Sequence, residues 1–385
     1  MTFPPYQYRP FSNPFFNPMS LEPKPGILDI SPYVGGRASV PGVAKVHKLS
    51  SNESPLGPSP KALAALDEAK ASLSLYPEGS ARLLREAIGE FFGLDPARIV
   101  TSGDGSDALL TLLANAYLRP DDEVVFGEHA FLVYKIATLA NSAVPVIVPE
   151  KNTNRGIKLE VDALLAAVTP KTRMVYLANP NNPTGTYLNR DEMARLHAGL
   201  PKDVILVIDA AYSEYVTAKD YEAGLEMVGK FPNVVMTRTF SKLYGLAGLR
   251  IGWMYASQAI CDVIHRIRGP FNTSLMQQLV GAAALKDREH FWAAVKHNSH
   301  WLPWITAEIR KTGLRVDDSM ANFVLIHFPP AGDKTAAAAD AFLSRNGVIL
   351  RAVASYGLPN ALRMTVGTEE QNRAAVSLLQ QFVAA

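Results

Sequence analysis

Cysteine is almost absent from this chain. Its 385 residues contain a single one, Cys261, which excludes an internal disulfide framework and fits a reducing compartment. A surplus of charge is missing too. The 38 basic and 36 acidic residues leave a formal net charge of +2, so nothing in the bulk charge points to nucleic acid or a membrane surface as a partner. No apolar run approaches membrane-spanning length. The N-terminal stretch has no basic region followed by an apolar core, so no secretory signal is expected and the cytoplasm is the expected location. Metal-ligand spacing is lacking as well: His297 and His300 share a helical spacing, but no further ligands are placed to join them. No internal repeat or low-complexity tract organises the chain. Residues 1–18, rich in proline and aromatics, read as an irregular arm.

What remains is an ordinary globular composition, 48% hydrophobic and 19% charged, long enough for two domains with substantial cores. Between residues 99 and 254 strand-like and helical segments alternate. Several of the strands, such as Val204-Ile-Leu-Val-Ile-Asp209, are apolar throughout. Continuous apolar strands are expected where helices cover both faces of a largely parallel sheet. In such sheets ligands bind beyond the C-terminal strand ends. After Pro270 helical sequence dominates to Lys311. It is followed by strands at Ala321 to His327 and Gly347 to Arg351 with a helix between them, then Arg363-Met-Thr-Val-Gly367 and a closing helix, the pattern of a smaller α+β unit.

The polar residues of interest gather at the predicted strand ends. Thr237-Arg-Thr-Phe-Ser-Lys-Leu-Tyr-Gly-Leu-Ala-Gly-Leu-Arg250 places Lys242 among small, hydroxyl and apolar residues. Burial disfavours a charged lysine, and a neutral amine attacks carbonyls. Thr239, Ser241 and Arg250 offer the donors that a phosphate takes. An amine for an aldehyde beside a phosphate cradle describes a site for pyridoxal 5'-phosphate (PLP). Other segments supply what that cofactor needs. The turn from Gly103 to Ser106 (Gly103-Asp104-Gly105-Ser106), leading into a helix, offers backbone N–H groups to the phosphate. Asp209, closing a strand, is placed to hold the pyridine nitrogen protonated. Tyr212 and Asn182 are donors for the ring oxygen, and Phe131 is a flat partner for the ring. Alone, each of these is an ordinary loop, cap or core residue. Their combination and order carry the reading.

The motifs Ser51-Asn-Glu-Ser-Pro-Leu-Gly57, Tyr76-Pro77, Gly103-Asp-Gly-Ser-Asp107, Asn179-Pro-Asn-Asn-Pro-Thr-Gly185, Asp209-Ala-Ala-Tyr-Ser-Glu-Tyr215, Ser241-Lys-Leu-Tyr-Gly-Leu-Ala-Gly-Leu-Arg250 and Arg363-Met-Thr-Val-Gly367 together resemble the fold-type I PLP-dependent aminotransferases. Within them, Tyr356-Gly-Leu-Pro-Asn-Ala-Leu-Arg363, following Arg351, resembles the branch acting on histidinol phosphate. The resemblance runs from about Pro23 to the C-terminus. It implies an α/β fold with a large domain, built on a mostly parallel seven-stranded-type sheet flanked by helices, and a smaller α+β domain. The implied division is an arm at 1–22, an N-terminal segment at 23–50 contributing to the small domain and the cleft, a PLP-binding domain at 51–272 and a C-terminal domain at 273–385.

By the same resemblance Lys242 links to the cofactor and shuttles the proton, and Asp209 and Tyr212 join it in the chemistry. Tyr76 reaches the cofactor phosphate of a neighbouring subunit in a homodimer. Arg351 and Arg363 bind the substrate's anionic group, with Tyr33 and Asn52 helping. The implied reaction converts histidinol phosphate and 2-oxoglutarate to imidazole-acetol phosphate and glutamate. The alternatives are an aromatic amino acid aminotransferase, a PLP-dependent decarboxylase and a non-catalytic PLP-binding protein. The family's glutamate after Gly-Ser-Asp is Ala108 here, and Ser54 stands in its Asn-Glu-Asn-Pro motif. Neither position takes part in the chemistry.

Overall fold

The computed structural model describes residues 22–43 and 45–385; the arm expected at 1–18 lies outside them. The chain enters through a short strand, β1 (His47–Lys48), and two helices, α1 (Pro60–Ala69) and α2 (Arg82–Phe92). The start of α1 is written locally: Ser59 accepts a hydrogen bond from the Ala62 N–H at 3.1 Å and Pro60 fills the first turn, where a missing N–H is harmless.

A central sheet follows. Its first members are β2 (Ile99–Ser102), β3 (Glu123–Gly127) and β4 (Val144–Val148), separated by α3 (Gly105–Tyr117) and α4 (Val133–Leu139). A hairpin that the sequence pattern does not announce, β5 (Lys151–Thr153) with β6 (Gly156–Lys158), interrupts the alternation before α5 (Val161–Ala166). Then come β7 (Thr172–Ala178), α6 (Arg190–Gly199), β8 (Ile205–Asp209), α7 (Leu225–Lys230), β9 (Val234–Thr239) and β10 (Gly252–Tyr255). The seven strands lie in the order β2-β10-β9-β8-β7-β3-β4. Only β10 runs against its neighbours.

Side-chain alternation explains the apolar strands. Val124, Phe126, Met174, Tyr176, Ile205 and Val207 face one core with α3, α4 and α8 (Gln258–Ile267). Val125, Val175, Leu177, Leu206 and Ile208 face the other, with α2, α5, α6 and α9 (Leu275–Lys286).

The helical sequence after Thr273 divides at Asp287, which ends α9 and caps α10 (Arg288–Arg310) by accepting from the His290 N–H at 3.3 Å. A four-stranded sheet follows, made of β11 (Arg315–Val316), β12 (Phe323–His327), β14 (Arg351–Ala352) and β15 (Ala361–Thr365). Between β12 and β14 come α11 (Ala336–Arg345) and β13 (Val348–Ile349). The stretch read as one strand from Gly347 to Arg351 is thus two, since β13 pairs with β1 and β14 with β15. This sheet packs with α10, α11 and the closing α12 (Glu369–Ala384) around a core including Leu49, Trp301, Ile305 and Leu343. The ends of β7, β8 and β9 (Ala178, Asp209, Thr239) and the start of β10 open on one edge of the large sheet, and β15 delivers Arg363 to the same region.

Candidate active site

Lys242 leaves the end of β9 in a tight turn: the Ser241 N–H donates to Thr239 Oγ1 at 3.1 Å and the Gly245 N–H to the Lys242 carbonyl at 3.1 Å. Its Nζ donates to the Ser51 carbonyl at 3.4 Å and lies 5.7 Å from the Tyr212 ring centroid. Burial, then the Arg363 guanidinium, lowers its amine to about 8. A substantial fraction is therefore neutral near physiological pH, as a nucleophilic lysine needs.

The amine opens on a cavity of about 350 Å³. At its floor Asp209 is 6% exposed. Its Oδ2 accepts from the Tyr134 hydroxyl at 2.9 Å and its Oδ1 from Thr237 at 3.4 Å. Burial pushes this carboxyl up to about 6, against the Tyr134 bond, the Ala211 N–H and Thr237. Phe131 and Ala211 line the same space. The Tyr212 hydroxyl accepts from Asn52 Nδ2 at 2.9 Å. Burial raises it to about 12, opposed by Arg363 and Asn52, so Tyr212 is a protonated donor.

One end of the cavity is cationic. Arg250 Nη2 sits 3.1 Å from Asp107 Oδ2 and Nη1 donates to Ser241 Oγ at 3.4 Å. The Gly105 N–H donates to the Arg250 carbonyl at 2.9 Å, locking this arginine to the first turn of α3. Gly105 holds φ +71°, and a Cβ there would lie 2.5 Å from Arg250 Nη2. Only glycine leaves room for that guanidinium. Helix-start N–H groups and a guanidinium make an anion site.

The cavity carries two more arginines. Arg363, 5% exposed, bonds Asn182 Oδ1 through Nη1 and the Ser50 carbonyl through Nη2 at 2.8 Å, while its buried Nε has no partner. Arg351 donates to the Val34 carbonyl at 2.8 Å and lies 6.0 Å from the Tyr33 ring centroid.

Tyr33, Asn52, Phe131, Asn182, Asp209, Tyr212, Thr239, Ser241, Lys242, Arg250, Arg351 and Arg363 thus share one cavity. The glycine turn divides differently from the sequence reading. Of the expected nest, Ser106 reaches the cavity, joined by Asp107, while Gly105 supports Arg250 from behind and Gly103 and Asp104 face a separate shallow depression beside Ala108. The helix starts at Gly105, so its first free N–H groups belong to the residues that follow. Tyr76 lies apart, 83% exposed and stacked on Phe271 at 4.7 Å. The reading missed Tyr134, whose contact with Asp209 spans 75 positions, and Tyr356, which lines the cavity wall. His297 instead bonds the Gly367 carbonyl at 2.8 Å. Among the described residues no group of three His, Cys, Asp or Glu is placed to hold a metal, and no helix is long and apolar enough to cross a membrane.

Comparison with known proteins agrees with this geometry. The family model for aminotransferase class I and II matches residues 44–379. Histidinol-phosphate aminotransferase of Rhodopseudomonas palustris is 54% identical over 363 residues, covering 94% of this chain and 98% of the relative. The enzyme of that name from Nitrobacter hamburgensis is 55% identical over the same shares. The crystal structure of histidinol-phosphate aminotransferase from Sinorhizobium meliloti in complex with pyridoxal-5'-phosphate superposes with a TM-score of 0.84 at 26% identity, over 96% of this chain and 98% of that one. With a buried lysine, a floor carboxylate and a guanidinium at a helix start in one cavity, and with this family model covering most of its length, the chain belongs to the class I and II aminotransferases.

Proposed function

We propose that this chain transfers the amino group of L-histidinol phosphate to 2-oxoglutarate, giving imidazole-acetol phosphate and L-glutamate, with PLP as cofactor. The observation that carries the substrate is the pair Arg351 and Arg363, which line the cavity in addition to Arg250. A buried guanidinium with a free Nε beside a second arginine calls for an anion, and the substrate supplies a phosphate.

The residues present fit PLP. Gly105 leaves the space that Arg250 fills, and a buried carboxylate and an amine of lowered basicity line the same cavity. Arg250, Ser241, Thr239 and the N–H groups at the start of α3 would hold the phosphate. Asp209 would hold the proton on the ring nitrogen, Tyr212 and Asn182 would donate to the ring oxygen, and Phe131 would pack on the ring. Bound there, PLP supplies an aldehyde that takes up the amino group and a ring that accepts electrons from the substrate carbon.

The remaining work falls to the chain's own groups. Lys242 Nζ removes the proton from the substrate carbon bearing nitrogen and returns one in the reverse half. Its lowered basicity lets it act in both directions near neutral pH. Arg363 and Arg351 fix the substrate anion, and with it the carbon that Lys242 must reach. Tyr33 and Asn52 complete the wall on that side. Held in this way, 2-oxoglutarate presents a carboxylate to the same guanidinium fork.

The working unit is a homodimer in the cytoplasm. Exposed Leu73, Leu75 and Tyr76 support an interface, in which Tyr76 would extend to the partner's cofactor phosphate, and the lone buried Cys261 fits a reducing compartment.

The test is the amino-donor half-reaction, followed through the visible absorbance of the bound cofactor. Histidinol phosphate is expected to deplete it rapidly and phenylalanine slowly. Equal or reversed rates would make the chain an aromatic aminotransferase, and release of CO2 in place of a 2-oxo product would make it a decarboxylase.

A further inference from the structure

Asp209 does not sit in a generic polar niche. Its strongest contact comes from Tyr134 in the first turn of α4, a side chain with no solvent exposure. The Tyr134 ring stacks on Tyr176 at 4.8 Å and 9° between planes, and the Tyr176 hydroxyl is tied to the Leu110 carbonyl at 2.8 Å. Phe126 meets the edge of the same ring at 6.2 Å. Thus held, Tyr134 makes two contacts toward the cavity. Its hydroxyl donates to Asp209 Oδ2 at 2.9 Å, and its ring meets Phe131 perpendicularly at 6.0 Å and 88°.

We infer that Tyr134 is the positioning residue of the cofactor slot: its hydroxyl fixes the Asp209 carboxylate and its ring fixes Phe131, so that one side chain sets the spacing between floor and wall. The inference rests on the reading of Asp209 as the partner of the PLP ring nitrogen. An ionised carboxylate accepts only, and a buried one needs donors to remain ionised. Without Tyr134, Asp209 keeps the Ala211 N–H and the longer bond from Thr237 on β9, while Asp107 on α3 opposes its charge. The neighbouring Tyr212 hydroxyl is engaged with Asn52. Tyr134 is therefore the donor whose loss costs the carboxylate most. Its own hydroxyl, held by burial well above the usual phenol range, stays a donor throughout.

The test titrates the full-length, PLP-stripped protein with PLP across pH and reads binding by absorbance and fluorescence. In the parent, affinity falls in two acid steps, as Lys242 takes up its proton near 8 and Asp209 near 6; the lower step is the midpoint followed below. Tyr134→Phe is expected to weaken PLP binding about tenfold at neutral pH, as for loss of one hydrogen bond to a charge, and to move the midpoint up by about one pH unit. Replacing Tyr134 by 3,5-difluorotyrosine, a stronger donor of nearly the same shape, should move the midpoint down. Tyr176→Phe, which removes a buried hydroxyl that does not touch Asp209, should leave the midpoint in place. A parental midpoint in both Tyr134 variants, with Asp209→Asn losing tight PLP binding, would overturn the inference and spare the reading of Asp209. Tight binding retained in Asp209→Asn would overturn that reading and the inference with it.

Discussion

Arg351 and Arg363 are register partners across the antiparallel pair β14 and β15. Two like charges directly opposite each other on a sheet repel, and Arg351 adds to the burial that lowers the Arg363 guanidinium. Arg363 is buried while Arg351 is partly open and anchored on the Val34 carbonyl. Such a pair persists where an anion is a regular occupant.

The first prediction follows from that pair. Arg363→Ala removes the buried member and also strands the Asn182 oxygen and the Ser50 carbonyl. KM for the anionic substrate should rise about a hundredfold, the size expected for a buried, hydrogen-bonded charge partner, while PLP affinity, which feels the change only through Asn182, falls far less. Arg363→Lys should fall between, because an ammonium cannot reproduce the planar fork. Steady-state kinetics at saturating PLP measures both. An unchanged KM would place the substrate anion elsewhere.

Lys242 carries a pH prediction for the cofactor-free protein. Its folded pKa of about 8 lies below the ordinary lysine value of about 10.4. Between the two, the unfolded chain holds a proton that the folded one lacks, so rising pH favours folding through that window. Below it, burial of the charged amine is a constant cost. Lys242→Met should therefore stabilise the cofactor-free protein by ~3 kcal/mol at pH 7, and the gain should shrink as pH rises from 8 toward 10.5. Thermal melts of both proteins across that range check the sign. The same variant should bind PLP without a covalent bond and lose turnover.

Lys242 and Asp209 were legible in sequence because Asp209 closes an apolar strand and Lys242 follows the end of another, and strand ends in such sheets point at the ligand crevice. The sheet itself was legible for a related reason, since continuous apolar strands require cover on both faces. Tyr134 was hidden: within α4 it reads as one more core aromatic, and only the packing of α4 on the sheet brings it to Asp209. The β5–β6 hairpin was missed because Lys151-Asn-Thr and Gly-Ile-Lys158 offer no clear alternation over so few residues. The boundary of the phosphate turn shifted by one step because the glycines draw attention, whereas the helix start decides which N–H groups are free.

Glu214 and Arg238 form a pair that sequence reading passed over. Their side chains are 3% and 6% exposed and meet at 3.2 Å, and the Arg238 guanidinium lies 4.7 Å from the Phe92 ring centroid. Arg238→Ala leaves a buried, uncompensated carboxylate and should cost about 3–5 kcal/mol. Glu214→Leu combined with Arg238→Met should cost less than either single change, since no charge is stranded. Denaturant unfolding of Arg238→Ala, of Glu214→Leu, of Arg238→Met and of the double variant decides. Additive losses would mean that the two side chains do not act as a pair.

Glycine substitutions separate backbone need from chance. Gly105 sits at φ +71°, where a side chain is strained, and its missing Cβ is the space taken by Arg250. Gly105→Ala should cost about 1–2 kcal/mol in backbone strain and push the guanidinium off the phosphate position. PLP affinity should then fall about tenfold, as for loss of a charged hydrogen bond. Gly229, in α7, has ordinary φ and open space around its Cβ position. Gly229→Ala should leave PLP affinity alone and stabilise the fold by up to ~1 kcal/mol through helix propensity. Cofactor titrations and melts on the two variants read both effects. Equal PLP affinity in Gly105→Ala and the parent would mean that Arg250 does not need the space Gly105 leaves.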